Sequence, residues 1–269
     1  MIIVAAPVHP ILLETLTEKG LEFRYFPELN YDQLLEIIPK ATGIIVATKI
    51  NIDKNIIDNA TCLKWIGRLG SGMEHIDVAY AQSKNIECVS SPEGNRNAVA
   101  EHALGLLLSL MRNSLKSCNE AKKNIWLREE NRGDELCGKT IGILGFGNTG
   151  FAFAKLLSSF DVNVLAYDKY KNGFGKDNVV ESSIESVMKQ SDVISFHLPL
   201  TAETKHFADN RFFDLLIKQP YIINTSRGGV IHTKFLIEAL EQNKIKGAAL
   251  DVLENENLRS FSLTEKKRI

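Results

Sequence analysis

The stretch Thr140-Ile-Gly-Ile-Leu-Gly145-Phe-Gly147-Asn148-Thr149-Gly150 decides the fold. An apolar run ends in glycines spaced G-x-G-x-x-G, and Phe151–Leu157 continues as an apolar helix pattern. The spacing alone is weak evidence; a strand before it and a helix after it give it meaning. Gly145 permits the tight turn, Gly147 lets the backbone approach a pyrophosphate, and Gly150 lets helix and strand pack closely. Asn148 and Thr149 open the helix, whose unpaired N–H groups and positive dipole end favour phosphate. Asp168 follows 18 residues after Gly150, at the end of the next apolar run. A carboxylate there accepts both ribose hydroxyls of NAD and repels the 2′-phosphate of NADP. Lys169, next in line, would soften that repulsion. The competing reading is a glycine turn in a non-nucleotide α/β domain with a chance acid at a strand end.

Working outward, short apolar runs alternate with amphipathic segments on both sides. Before the glycine stretch the runs are Ile2–Ala6, Leu21–Phe26, Gly43–Thr48, Leu63–Leu69 and Ile86–Ser90, separated by helical patterns such as Ile11–Lys19 and Tyr31–Ile38. After it come Val162–Tyr167, Val193–Phe196, Tyr221–Asn224 and Gly247–Leu250. Runs of this length read as strands buried on both faces, and β-α-β-α order implies parallel sheets with helices on both sides. The fold class is therefore α/β, with two doubly wound parallel-sheet domains over residues 1-96 and 97-269. The long apolar helix pattern 97-113 reads as the hinge, and a polar stretch follows through Gly133.

Composition narrows the function classes. The chain has 269 residues, 44% hydrophobic and 24% charged, which suits two globular domains. A net charge of −1, with basic residues dispersed, offers no field for nucleic acid or an acidic membrane. Lys266, Lys267 and Arg268 read as a solvated tail. No apolar run reaches the ~20 residues needed to span a bilayer, and the opening MIIVAAPVHP reads as a buried strand rather than a signal peptide. Cys62, Cys88, Cys118 and Cys137 form no CxxC pair and no metal-ligand spacing, so we expect reduced thiols, a cytoplasmic location and no metal.

Later segments carry a resemblance. They are Asp192-Val-Ile-Ser-Phe-His197-Leu-Pro199-Leu-Thr-Ala-Glu-Thr204, Ile223-Asn-Thr225-Ser-Arg227-Gly-Gly229 and Gly247-Ala-Ala-Leu-Asp251-Val-Leu-Glu-Asn-Glu256. In the first domain, Gly67-Arg-Leu-Gly70-Ser71-Gly72-Met-Glu-His-Ile-Asp77 and Ser91-Pro92-Glu-Gly-Asn95-Arg-Asn-Ala-Val-Ala-Glu101-His agree. In this order, and over the whole chain, they resemble the D-2-hydroxyacid dehydrogenases. The resemblance implies a flavodoxin-like substrate domain, a Rossmann NAD-binding domain, a small 2-hydroxy or 2-keto acid as substrate, and a homodimer joined through the cofactor domains. The Ser91–Asn95 segment looks closest to phosphoglycerate dehydrogenases, which puts 3-phosphoglycerate first and glycerate or hydroxypyruvate second.

Such a reaction needs a carboxylate clamp, a base and a hydride acceptor. Arg227 suits the clamp, because a planar guanidinium grips a carboxylate and polarises the neighbouring carbonyl. Gly70, Ser71 and Gly72 make a small-residue loop whose N–H groups suit an anion; Arg68 reads equally as a phosphate contact or a structural residue. By resemblance, Asp251 accepts from the nicotinamide carboxamide, and His197, Pro199, Thr204 and Thr225 line the cofactor site, with a core role for His197 as the alternative. Glu256 matches the acid that pairs with and orients a catalytic imidazole. Glu254 competes for that role, and spacing from Asp251 favours Glu256. His102 reads as a structural residue of the hinge helix. His9, His75, His206 and His232 match no catalytic position. Trp126 reads as a packing or dimer contact.

The chain departs from the pattern at its end. The family's base is a histidine in a Pro-His-x-Gly motif downstream of the Glu, and the 13 residues after Glu256 contain none. The expectation is NAD binding with depressed turnover, since general acid–base catalysis contributes ~10²–10⁴-fold. The helix that would close the first domain is also missing, so an exposed apolar face is expected there. The alternative reading is a catalytically silent NAD(H)-binding regulator of the corepressor kind. An unrelated Rossmann enzyme conflicts with Asn224-Thr-Ser-Arg227-Gly.

Overall fold

A computed structural model describes residues 1–256. Its contacts divide the chain after Asn95 into two compact units. Among the described residues, no helix is long and apolar enough to cross a membrane.

The first unit runs β1 (Ile2–Val4), α1 (Pro10–Glu18), β2 (Phe23–Tyr25), α2 (Tyr31–Ile37), β3 (Gly43–Val46), α3 (Lys54–Asn59), β4 (Trp65–Arg68), α4 (Val78–Ser83) and β5 (Glu87–Ser90). All pairings are parallel, in the order β2-β1-β3-β4-β5, the flavodoxin-like winding. Alternation of side chains assigns the two faces. Ile3, Ile44 and Ile66 pack with Leu34, Ile38 and Ile56 from the α2–α3 side. Ile2, Val4 and Ile45 pack with Leu16 of α1. Helix starts follow their caps: Asn30 and Gln33 form a reciprocal capping box on α2, while Asp53 and Asp77 cap α3 and α4. Ile11, Leu21, Tyr25 and Val89 remain exposed.

The second unit opens with α5 (Arg96–Met111) and α6 (Ser114–Ala121). It continues with β6 (Thr140–Leu144), α7 (Asn148–Leu157), β7 (Asn163–Tyr167), β8 (Val179–Glu181), α8 (Ile184–Gln190), β9 (Val193–Phe196), α9 (Asn210–Asp214), β10 (Tyr221–Asn224), α10 (Thr233–Glu241) and β11 (Gly247–Leu250). Its six parallel strands lie in the order β11-β10-β9-β6-β7-β8, the dinucleotide-fold winding. Ile141, Ile143 and Val164 face α5 and α7 through Ala103, Leu107 and Phe153. Leu144, Ile194 and Ile222 face α8–α10 through Val187, Phe212 and Leu236. Helix α5 thus belongs to the core of this unit, burying Ala100, Ala103, Leu107 and Met111.

The structure adds two elements that the sequence reading did not contain and corrects one expectation. The polar stretch after residue 113 holds a helix, α6, which is polar on average and buries none of its residues. Strand β8 escaped notice because only one of its three residues is even half-buried. Burial on both faces holds for β1, β3 and β9 but fails for β2, β5 and β8, each at a sheet edge.

Candidate functional site

The winding of the second sheet reverses between β6 and β9. Ligands of open α/β sheets bind in the crevice at such a switch point, outside the carboxyl ends of the strands. The loops that leave those ends carry the residues singled out above: Gly145–Gly150 after β6, Asp168 after β7, His197–Thr204 after β9, Thr225–Arg227 after β10 and Asp251 after β11.

The glycines divide their work as their spacing implies. Gly145 takes a left-handed φ of +94°. A Cβ at Gly150 would lie 2.1 Å from the Gly145 carbonyl oxygen, so the helix packs against the turn only without a side chain. A Cβ at Gly147 would meet nothing within 4 Å. Gly147 caps α7 without a side-chain acceptor, which leaves the first helical N–H groups, those of Asn148 and Thr149 among them, to face that open space. Thr225 Oγ1 is buried and has no hydrogen-bond partner among the described residues. An open backbone cradle at a helix N-terminus, with an unsatisfied hydroxyl at the end of another strand of the same sheet, fits a dinucleotide.

Asp168 is tied to that cradle. Its Oδ2 accepts the Phe146 N–H at 2.8 Å and its Oδ1 the Tyr170 N–H at 2.9 Å. Lys169 is turned elsewhere: its Nζ lies 2.6 Å from Glu203 Oε2, which also accepts from the Tyr170 hydroxyl at 2.9 Å. Through this bond the Glu203 carboxylate raises the pKa of Lys169, and the ammonium lowers that of Glu203. Beside the loop lies a cleft of about 580 Å³, walled by Phe146, Phe151 and Phe174 and edged by Lys171. The rings of Phe146 and Phe174 stack at 4.6 Å.

His197 is buried. Burial pushes its pKa down to about 4, so the ring is neutral near pH 7. Its Nε2 lies 2.9 Å from Ser195 Oγ, and its ring 5.4 Å from that of Phe153. Its carbonyl borders the glycine turn, 2.5 Å from where a Cβ of Gly145 would stand. Pro199 and Thr204 form one turn, in which Thr204 Oγ1 donates to the Pro199 carbonyl and accepts from the Thr201 N–H.

Arg227 leaves β10 half-buried, with Nη1 donating to the Ser226 carbonyl at 2.7 Å. Sequence reasoning missed Asn224, which holds this loop. Its Oδ1 accepts from the Ser226 N–H at 3.0 Å and hydroxyl at 2.7 Å, and its Nδ2 donates to the Arg227 carbonyl at 3.1 Å. The Asn-x-Ser spacing of an Asx turn was the available signal.

His102 is exposed, with Nε2 3.1 Å from Asp251 Oδ1, a contact that joins α5 to the loop after β11. Trp126 is 84% exposed. Glu254 accepts the Thr233 N–H at 2.8 Å and lies 2.6 Å from His206 Nε2. Burial works to raise its pKa, but the bonds from Thr233 and His206 outweigh it and hold the carboxyl below its ordinary value. Glu256 is exposed. The residues searched for a Pro-His motif, 257-269, lie outside the described part.

In the first unit, Gly70–Gly72 form a bend after β4. Gly70 has φ +119°, and its carbonyl accepts the Ser91 N–H at 2.9 Å. Arg68 folds back over Gly70, with Nη1 donating to the Leu69 carbonyl at 2.8 Å and Nε buried without a hydrogen-bond partner among the described residues.

Comparison with known proteins agrees with this geometry. Residues 104–269 match the profile described as "D-isomer specific 2-hydroxyacid dehydrogenase, NAD binding domain". The chain is 36% identical to a D-3-phosphoglycerate dehydrogenase of Methanocaldococcus jannaschii, over 95% of this chain and 49% of that protein. It is 35% identical to a hydroxypyruvate reductase of Thermotoga maritima, over 85% of this chain and 74% of the other. Among solved structures, an NAD-dependent formate dehydrogenase from Staphylococcus aureus in complex with NAD is similar, with a TM-score of 0.78 and 32% identity over 96% of this chain and 83% of that one. The chain spans about half the length of the phosphoglycerate dehydrogenases it matches. With the glycine cradle, the switch-point loops and the matched segment in agreement, the chain belongs to the D-isomer specific 2-hydroxyacid dehydrogenase family and carries its NAD-binding domain.

Proposed function

We propose that this protein transfers hydride between NAD and a small 2-hydroxy or 2-keto acid, with 3-phosphoglycerate first among substrates and hydroxypyruvate or glycerate second. The observation that carries the reading is the open face of Gly147 at the N-terminus of α7, on the same end of the parallel sheet as the loops that bear Asp168, Thr225, Arg227 and Asp251. Bound NAD supplies the hydride acceptor.

The chain's own residues bind and orient the cofactor and the acid. The N–H groups of α7 hold the pyrophosphate, with Gly145, Gly147 and Gly150 shaping the approach. Asp168 accepts from the adenosine ribose. The pairing of Lys169 with Glu203 supports NAD over NADP, because the cation that would offset a 2′-phosphate is engaged. His197 stays neutral and, with Pro199 and Thr204, shapes the wall of the site. Asp251, held by His102, accepts from the nicotinamide carboxamide. Arg227, steadied by Asn224, grips the substrate carboxylate and polarises the carbon that exchanges hydride. By resemblance, Gly70, Ser71 and Gly72 offer backbone N–H groups to a substrate carboxylate. By resemblance Glu256 is the acid that would orient a proton-transferring imidazole, and the Pro-His motif that bears that imidazole is not in residues 257-269. Glu254, which spacing also placed in contention, is engaged by Thr233 and His206.

The protein works as a homodimer through its cofactor unit, a reading supported by the exposed run Ile125-Trp126-Leu127. Four free thiols accord with a cytoplasmic location.

The test pairs an NADH titration by calorimetry with turnover assays on hydroxypyruvate and 3-phosphoglycerate. Binding with turnover supports the enzyme. Binding with background turnover replaces it by a catalytically silent NAD(H)-binding regulator, and no binding removes both.

A further inference from the structure

One cluster of ligating side chains is absorbed by none of these roles. It stands on the loops that follow three adjacent strands of the second unit. His206 lies after β9, His232 is the residue before α10, and Glu254 follows β11. One ligand atom from each falls within 4.8 Å of the others. His206 Nε2 is 2.6 Å from Glu254 Oε1, and the two imidazole rings lie 4.5 Å apart at 41°.

The backbone fixes each member. His206 adopts a left-handed φ of 55°, uncommon for a residue with a side chain, and its N–H donates to the Gly229 carbonyl at 2.8 Å. The His232 N–H donates to the Ala208 carbonyl at 3.1 Å, tying the second histidine to the loop of the first. Glu254 spends Oε2 on the Thr233 N–H and turns Oε1 toward His206. His232 Nδ1 is buried with no hydrogen-bond partner among the described residues. A buried imidazole nitrogen in that condition costs free energy that a ligand to the ring would relieve.

We propose that His206, His232 and Glu254 form a binding site for a divalent transition metal of the zinc class. Two imidazoles and one carboxylate are a borderline-soft donor set that suits Zn²⁺, whereas Ca²⁺ and Mg²⁺ demand oxygen-rich shells. Tetrahedral coordination at ~2.0–2.2 Å needs ligand atoms about 3.3 Å apart. A small opening of the His206–Glu254 pair, with the metal in place of the shared proton, provides that separation. The side chains of His206 and Glu254 are 33% and 27% exposed, which leaves an entry path and room for water as fourth ligand. The metal clips together the loops that follow β9, β10 and β11. One of these carries Arg227, through the His206 bond to Gly229.

Cobalt spectroscopy on the full chain tests the site. Co²⁺ held by imidazole and carboxylate in tetrahedral geometry gives visible d–d bands without the near-ultraviolet charge-transfer band of thiolate ligation, which separates this site from the cysteines. The expected result is one equivalent of Co²⁺ with those bands, displaced by Zn²⁺. Zn²⁺ competition against a chromophoric chelator then gives an affinity at least tenfold weaker in His206→Gln, His232→Gln and Glu254→Gln. Zn²⁺ raises the Tm of the parent chain and leaves that of the variants unmoved. Absence of the bands in the unaltered chain overturns the proposal whatever the variants do. So does equal Zn²⁺ affinity in the His206→Gln/His232→Gln double variant, which would leave the cluster as a hydrogen-bonded clamp.

Discussion

The Asp168 carboxylate accepts the backbone N–H of Phe146 at 2.8 Å, so the acid that ends β7 also braces the glycine turn that ends β6. The two functions separate by substitution. Asp168→Asn keeps an acceptor for Phe146 and removes the charge, while Asp168→Ala removes both. We expect Asp168→Asn to weaken NADH binding by ~10- to 100-fold, the worth of hydrogen bonds to a charged group, and to narrow the gap to NADPH. Asp168→Ala should lower Tm as well. Fluorescence titrations with both nucleotides and a thermal melt read the outcome; unchanged nucleotide preference in Asp168→Asn would remove the acid from the ribose site.

The second and third glycines of the motif give opposite signatures. In Gly150→Ala the new Cβ meets the Gly145 carbonyl at 2.1 Å, and overpacking of this kind costs ~1–3 kcal/mol. In Gly147→Val the new side chain enters open space, so stability should hold within about 0.5 kcal/mol while NADH affinity falls at least tenfold. Melting curves and NADH titrations on both variants decide the matter. A Gly147→Val chain that binds NADH normally would move the pyrophosphate elsewhere.

Arg227→Lys retains the charge but loses the planar fork. Turnover of hydroxypyruvate should fall about 100-fold in kcat/KM, the size of one lost oxyanion donor, with NADH affinity unaltered. Asn224→Ala should produce a milder version of the same loss, because it frees the loop without removing the guanidinium. Steady-state kinetics alongside NADH titration make the comparison, and equal loss of nucleotide binding would mean that Arg227 holds structure rather than substrate.

His197 predicts an acid limb of stability. The unfolded chain takes up a proton near 6.5, whereas the buried ring resists it down to about 4. Between those values the unfolded state binds more protons, so stability falls as pH drops through the window, by about 3 kcal/mol in all, and is independent of this group above 6.5. His197→Asn should flatten this limb. Urea denaturation at intervals from pH 7.5 to 4 measures it, and parallel curves for the two proteins would contradict the assignment.

Trp126 is the test of assembly. At 84% exposure its removal should cost the folded chain little, yet Trp126→Ala should shift a homodimer toward monomer at micromolar concentration. Sedimentation velocity distinguishes the cases, and an unchanged distribution would place the dimer contact elsewhere.

The winding of both sheets and the cofactor cradle were legible in the residue order. Parallel strands buried on both faces produce uninterrupted apolar runs, and a pyrophosphate turn needs glycine at fixed offsets because a Cβ at 145 or 150 strikes backbone. The edge strand β8 and the polar helix α6 were not legible, since each is short and none of its residues is fully buried. What only the tertiary structure decided is which polar groups meet. His102 finds Asp251 across 149 residues, Lys169 finds Glu203 across 34, and His206, His232 and Glu254 converge from the ends of three strands. A parallel sheet gathers all its strand-end loops along one edge, so residues distant in sequence become neighbours there. Their spacing along the chain follows the lengths of the intervening helices and carries no trace of the encounter.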